Sequence, residues 1–249
     1  THRWLSWPAL SNLWPRAPIS IHSEIMTETA PLKAAMIGLR HPHMGTIGPS
    51  TPHYIHSFRQ LRGVEVVAYC EDVEPSLMDE ASEYHPEART YTSVDDLIEQ
   101  EDFDVACVTL PAVKVPAAGI KLAEAGKHFY MEKQFARRAS DLAELVRAVR
   151  RTGVKVLAGY PHRFNPVLQD LRRMVEEGLL GRPLDIEARL ITSQVGPGLR
   201  DAANFRYTDA EQGGGILHME GCLHLDVMRY LMGCEVKSVQ AMMGRPFGH

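Results

Sequence analysis

The chain has 249 residues, is 45% hydrophobic and 23% charged, and carries a net charge of −4. Those proportions belong to a soluble globular protein of one or two domains. They offer no electrostatic pull toward nucleic acid or an anionic membrane, and no apolar run approaches the ~18 residues of a bilayer span.

Taken in chain order, residues 1 to 25 stand apart. They hold all three tryptophans, Trp4, Trp7 and Trp14, with neither a long apolar core nor a signal-like cleavage site. Met26 then opens a segment that reads like a natural start, so residues 1–30 are expected to be an N-terminal extension outside the fold. From residue 33 the pattern alternates. KAAMIGL is a short apolar strand, and a loop rich in His, Pro and Gly follows. HYIHSFRQL has helical spacing, and VEVVAYC is a second strand ended by Glu71 and Asp72. SLMDEASEYH is helix-like, Thr90 and Tyr91 mark a short strand, and SVDDLIEQ starts a helix with a Ser cap. DVACVTL is the continuous apolar run of a strand buried on both faces. AAGIKLAEAG is a helix stopped by Gly126, and KHFYME is the next strand. SDLAELVRAVRRTG is an amphipathic helix, read as capped by Ser140 and stopped by Gly153. VKVLAGY is a further strand. The four cysteines form no CxxC pair. Cys70 and Cys107 sit in strand-like runs, which predicts buried thiols and a reduced, cytoplasmic setting.

Strand and helix in alternation predict a Rossmann-type, doubly wound parallel sheet over residues 31–160. Such sheets bind ligands outside the carboxyl ends of their strands. Two stretches lie on that edge. GLRHPHMG, Gly38 to Gly45, follows the first strand where a GxGxxG pyrophosphate loop belongs, but Arg40 stands at the second glycine. Arg40, His41 and His43 offer donors in its place. Glu71 or Asp72 after the second strand can accept from a ribose 2′-hydroxyl, favouring NAD over NADP, with a solvated acidic loop as the competing reading. The other stretch is Glu132–Lys133, where the strand HFYM ends. A surface ion pair is its bland reading.

After Tyr160 the pattern changes. HRFNPVLQDLRRMVEEGLLG is read as one helix. RPLDIEARLITSQV and VKSVQAMMG are read as alternating strands. Between them three glycines lead into a helix with apolar positions Leu217, Leu225, Met228 and Leu231. Residues 161–249 are thus expected to be part of an α+β domain with an open, mainly antiparallel sheet. The 12 histidines suggest no metal site, because His41, His43, His53 and His56 have no matching Cys or carboxylate cluster in the sequence.

EKQ at the strand edge, GYPHRFNP after the next strand, and GGG leading into HLDVMRYLMG together resemble the glucose-fructose oxidoreductase, inositol dehydrogenase and MocA family. The resemblance runs from about residue 33 to the end. It implies an NAD(P)-dependent oxidoreductase that moves a hydride between nicotinamide and a secondary alcohol or ketone of a sugar, cyclitol or related polyol. The family's EKP motif aligns with Glu132, Lys133 and Gln134, so Lys133 inherits the role of binding the substrate hydroxyl and assisting proton transfer. The loop with Thr109 and Pro111 is expected beside the cofactor, and His162 and Arg163 in the cleft near the domain junction. The family's Asp-x-x-x-His motif is absent: Met219 and Leu223 hold its positions. Glu220 and His224 stand one residue on and share a helix face, as a displaced acid/base pair. A purely structural role for His224 and Asp226 is the alternative. Family members carry further sheet strands, so the chain reads as C-terminally truncated, with homo-oligomers forming through that sheet where it is complete. A non-catalytic dinucleotide-binding protein, an inactive fragment, and a lyase or hydrolase using bound NAD for transient oxidation remain the other readings.

Overall fold

The computed structural model describes residues 30–44, 53–192, 215–242 and 244. Nearly all of the extension expected over residues 1–30 lies outside these, as do Gly45 and two of the three glycines before the last helix.

Six parallel strands form one sheet in the order β3-β2-β1-β4-β5-β6. They are β1 (Leu32–Ile37), β2 (Val64–Cys70), β3 (Arg89–Tyr91), β4 (Val105–Val108), β5 (His128–Glu132) and β6 (Val156–Gly159). The apolar runs fold this way because alternate side chains go to opposite faces and both faces are covered. On one face Met36, Tyr69 and Cys107 pack with Ile55 of α1 (Tyr54–Gln60) and with Leu77 and Met78 of α2 (Leu77–Ser82). On the other, Ala35, Ile37 and Val108 pack with Leu97 of α3 (Val94–Gln100), Leu122 of α4 (Val115–Glu124) and Leu145 of α5 (Ala139–Thr152). Cys70 and Cys107 are buried as expected, and all four cysteines are thiols.

The helix ends follow local chemistry. Ser93 caps α3, its hydroxyl accepting from Asp95 N and Asp96 N. Gly153 ends α5 in the left-handed region. The expected Ser140 cap does not form. Ala139 already enters the helix, Arg138 is the extended N-cap residue, and Ser140 Oγ donates to Asp141 Oδ1 inside the first turn. The single helix expected after Tyr160 is two. A 3-10 turn covers Pro161–Phe164, and α6 covers Pro166–Glu176. Pro166 pushes the preceding residue out of helical conformation. Asn165 is accordingly extended and caps α6 through its Oδ1 and Val167 N, 2.9 Å.

A π turn over Leu217–Gly221 leads into α7 (Cys222–Met232), which Gly233 ends with φ +62°. The apolar face expected for this helix is wrong in part. Leu217 and Leu225 are 64% and 51% exposed, whereas Met219, Leu223, Asp226 and Leu231 are buried. The strands expected over 182–195 and 236–244 are not formed among the described residues. An alternating run becomes a strand only where another edge supplies its hydrogen-bond partners, and none lies beside these described segments. Among the described residues no helix is long and apolar enough to cross a membrane.

Candidate functional site

The register aligns the carboxyl ends of the central strands. Ile37 of β1 stands beside Val108 of β4, and Val108 beside Met131 of β5. One residue further on, Gly38, Thr109 and Glu132 therefore form a row along one edge, with Lys133 just beyond. Here the strand order reverses direction between β1 and β4, the place where an open α/β sheet takes its ligand.

Gly38 begins the loop after β1 with φ +88°, and a Cβ there would sit 3.0 Å from Leu110 N. Only glycine meets both demands. The Thr109 hydroxyl donates to Gly38 O, tying this loop to the end of β4. Pro111 accepts at its carbonyl from Lys114 N, 2.8 Å, and so shapes the turn into α4. Arg40 lies 3.6 Å from the Glu74 carboxylate. The acidic pair after β2 divides. Glu71 is 2% exposed, and its carboxylate accepts from Leu39 N, Val73 N and Glu74 N at 2.7, 2.9 and 3.3 Å. It braces the glycine loop. Asp72 is the half-exposed partner, ion-paired to Lys114. It lines a cleft of about 370 Å³ with Cys70, Thr92, Leu110, Val113 and Lys114. A cleft of this size beside a glycine turn fits the adenosine half of a dinucleotide.

Glu132 is buried and heavily partnered. The Tyr54 hydroxyl donates to it, the Tyr130 hydroxyl donates at 3.0 Å, and Lys133 N donates at 3.1 Å. His43 Nδ1 lies 3.6 Å away. Burial alone would push this carboxyl up, but hydrogen bonds from His43 and Tyr54 and the charge of Lys133 hold it below the usual carboxylate range. The same surroundings push the Tyr54 and Tyr130 hydroxyls well up: burial first, then the Glu132 charge. His41 packs against His43 with ring centroids 4.7 Å apart. The two histidines and Glu132 bring their ligand atoms within 4.8 Å of one another. The carboxylate that the sequence did not place beside the histidine loop is Glu132, 89 residues from His43 in the chain but adjacent across the sheet edge.

Lys133 is 5% exposed, so it is not part of a surface ion pair. Its Nζ donates to Met219 O at 3.1 Å and to Glu220 Oε1 at 3.4 Å. The π turn is wider than an α turn by one residue, which swings Glu220 round to Lys133. His224 Nδ1 lies 3.2 Å from Glu220 O, and its ring is 6.3 Å from that of His162. Lys133, Glu220, His224 and His162 thus gather at the start of α7. Arg163 points into a different contact. It grips Asp226 with two bonds of 2.6 and 2.7 Å and stacks over Tyr230. Cys222, beside Lys133, was not singled out from the sequence; burial pushes its thiol up to about 11.

The family model described as "Oxidoreductase family, NAD-binding Rossmann fold" matches residues 33–160, and that described as "GFO/IDH/MocA C-terminal domain" matches residues 168–249. An inositol 2-dehydrogenase of Salmonella paratyphi B is 25% identical over 215 residues, covering 86% of this chain and 58% of that protein. A D-xylose dehydrogenase of Paenarthrobacter nicotinovorans is 29% identical over 240 residues, covering 87% and 57%. The WlbA dehydrogenase of Bordetella pertussis, solved with NADH and UDP-GlcNAcA, superposes with a TM-score of 0.67 at 24% identity, covering 83% of this chain and 56% of that one. The chain therefore spans a little over half the length of these relatives. With more than half of its own length matched, it belongs to the Gfo/Idh/MocA oxidoreductase family, whose first domain is an NAD-binding Rossmann fold.

Proposed function

We propose that the chain carries the core of a nicotinamide-dependent oxidoreductase acting on a secondary alcohol or ketone of a sugar, cyclitol or related polyol. The observation that carries this reading is Lys133, a buried lysine at the carboxyl edge of β5 whose Nζ reaches Glu220 at the start of α7. Oxidising a secondary alcohol removes two electrons and a proton from the carbon as hydride, and a second proton from the hydroxyl. A bound nicotinamide supplies the hydride acceptor. Lys133 stabilises the oxygen as its negative charge develops. Glu220, in contact with Lys133, and His224, one turn further along, are the groups to accept the hydroxyl proton. His162 borders the same space. The Gly38 loop, with Arg40 and His43, would hold the pyrophosphate, Thr109 and Pro111 would flank it, and Glu132 would meet the nicotinamide side. Asp72, rather than Glu71, is the ribose acceptor in this reading, because Glu71 is already engaged by three backbone donors. A carboxylate there favours NAD over NADP.

Met219 and Leu223, at the positions of the family's Asp and His, favour the second reading: a dinucleotide-binding protein without turnover. One experiment separates the two. The chain is titrated with NADH and NADPH by nicotinamide fluorescence, then assayed with NAD on a panel of polyols. Saturable binding with turnover that falls about 100-fold or more in Lys133→Ala supports the enzyme. Binding with no turnover across the panel supports the second reading. A folded chain that binds neither nucleotide rules out both.

A further inference from the structure

His41, His43 and Glu132 are brought together by the fold from two distant parts of the sequence, and their ligand atoms lie within 4.8 Å of one another. We infer that they form a binding site for one divalent transition metal of the Zn²⁺ type, at the sheet edge where the loop after β1 meets the end of β5.

The donor set is right in kind. Two imidazoles and one carboxylate suit Zn²⁺ and its neighbours, and disfavour the hard cations Mg²⁺ and Ca²⁺, which want oxygen ligands alone. The spacing is nearly right as it stands. Donors bound to a tetrahedral Zn²⁺ at about 2.0–2.2 Å stand about 3.3–3.5 Å apart. His43 Nδ1 and Glu132 Oε2 are already 3.6 Å apart. His41 closes the remaining distance by a small loop adjustment. Its Nδ1 accepts from His43 N at 3.1 Å. Coordination at Nδ1 exchanges that hydrogen bond for a metal bond.

The surroundings are also those of a metal site. Glu132 is 3% exposed, so its carboxylate lies where little water competes for it. Tyr54 and Tyr130 both donate to its Oε2 and Lys133 N to its Oε1, outer hydrogen bonds that hold the carboxylate in place; a metal at Oε2 would share that oxygen with the two hydroxyls. Lys133, the nearest lysine in sequence, turns its ammonium away to Met219 and Glu220. His43 is 48% exposed, which gives the ion an entry path and leaves a fourth position open to water or to an anionic ligand.

His43 and Glu132 also stand in the proposed cofactor site, so the test is calorimetric titration of the full chain with Zn²⁺ in a non-chelating buffer with no nucleotide present, which reads metal binding separately from nucleotide binding. One saturable site in the parent is expected. The site is lost in the His41→Ala/His43→Ala double variant, and weakened about 10- to 100-fold in Tyr54→Phe, which keeps all three ligands but removes an outer hydrogen bond. Co²⁺ in place of Zn²⁺ should give visible absorption bands in the parent that the double variant lacks. Parent protein without saturable binding overturns the inference. So does a double variant that titrates like the parent, which would assign the metal to other histidines or to Cys234. Should the double variant fail to fold, Tyr54→Phe decides: unchanged affinity and an unchanged Co²⁺ spectrum overturn the site.

Discussion

Glu71 and Asp72 are chain neighbours with different work. Glu71 is sealed in and satisfies three backbone donors of the loops after β1 and β2. Glu71→Ala would leave those donors without their acceptor, costing about 1–3 kcal/mol in a denaturant melt. Asp72 is 41% exposed and pairs only with Lys114 in the contacts described. Asp72→Ala should change stability by no more than about 0.5 kcal/mol, yet narrow any preference for NADH over NADPH in a fluorescence titration. If the stability loss instead follows Asp72, the division between bracing and binding is reversed. The sequence could place an acidic pair at the end of β2, but not apportion it. Which carboxylate turns inward depends on where the Gly38 loop returns, a contact 32 residues distant along the chain.

At the scale of elements, the strands and helices of the parallel sheet were legible because buried strands and amphipathic helices leave strong periodic signals. The features that shape the site were not. The π turn at Leu217–Gly221 adds one residue to a turn, and no periodicity of 3.6 anticipates it. Within this turn the Met219 carbonyl and the Glu220 carboxylate both meet Lys133, while the Met219 side chain is buried, as is Leu223 of α7. Nor did the sequence reveal why Asp226 is buried in that face. It receives the Arg163 guanidinium from the 3-10 turn after β6, with Arg163 15% and Asp226 3% exposed. This pair fixes α7 to the end of the sheet. Asp226→Ala would strand a buried cation and is expected to cost about 3–5 kcal/mol, measured by chemical denaturation. Replacing both partners, Arg163→Met with Asp226→Leu, should recover most of that loss. Failure of the double variant to recover would assign the cost to α7 packing and not to the ion pair.

At the scale of the whole molecule, two buried carboxylates among the described residues, Glu101 and Glu132, sit below the usual range for related reasons. Burial would raise Glu101, but hydrogen bonds from Arg89 and Tyr91 outweigh it; Glu132 is lowered against the same penalty by His43, Tyr54 and Lys133. Each has a folded-state value below its unfolded one, about 4.3 for glutamate. Their contribution is therefore present above that unfolded value and is lost as pH falls through the depressed folded value. Urea midpoints should hold between pH 7 and 5 and drop below about pH 4, and Glu132→Gln should flatten part of the drop. An unchanged acid limb in that variant would show that Glu132 takes no part. The strand order bears on the chain's birth as well as its equilibrium. β1 lies at the centre of the sheet, yet its contact with the start of β4 spans 71 residues, as in Lys33 N to Asp104. During synthesis β1 and β2 can pair as soon as both have emerged, but one side of β1 must stay bare until β4 arrives. Ribosome-stalled chains ending before Val105 should therefore be cut readily by protease within β1. Chains long enough to expose β4 beyond the exit tunnel should gain protection there first, before β5 and β6 add the far side.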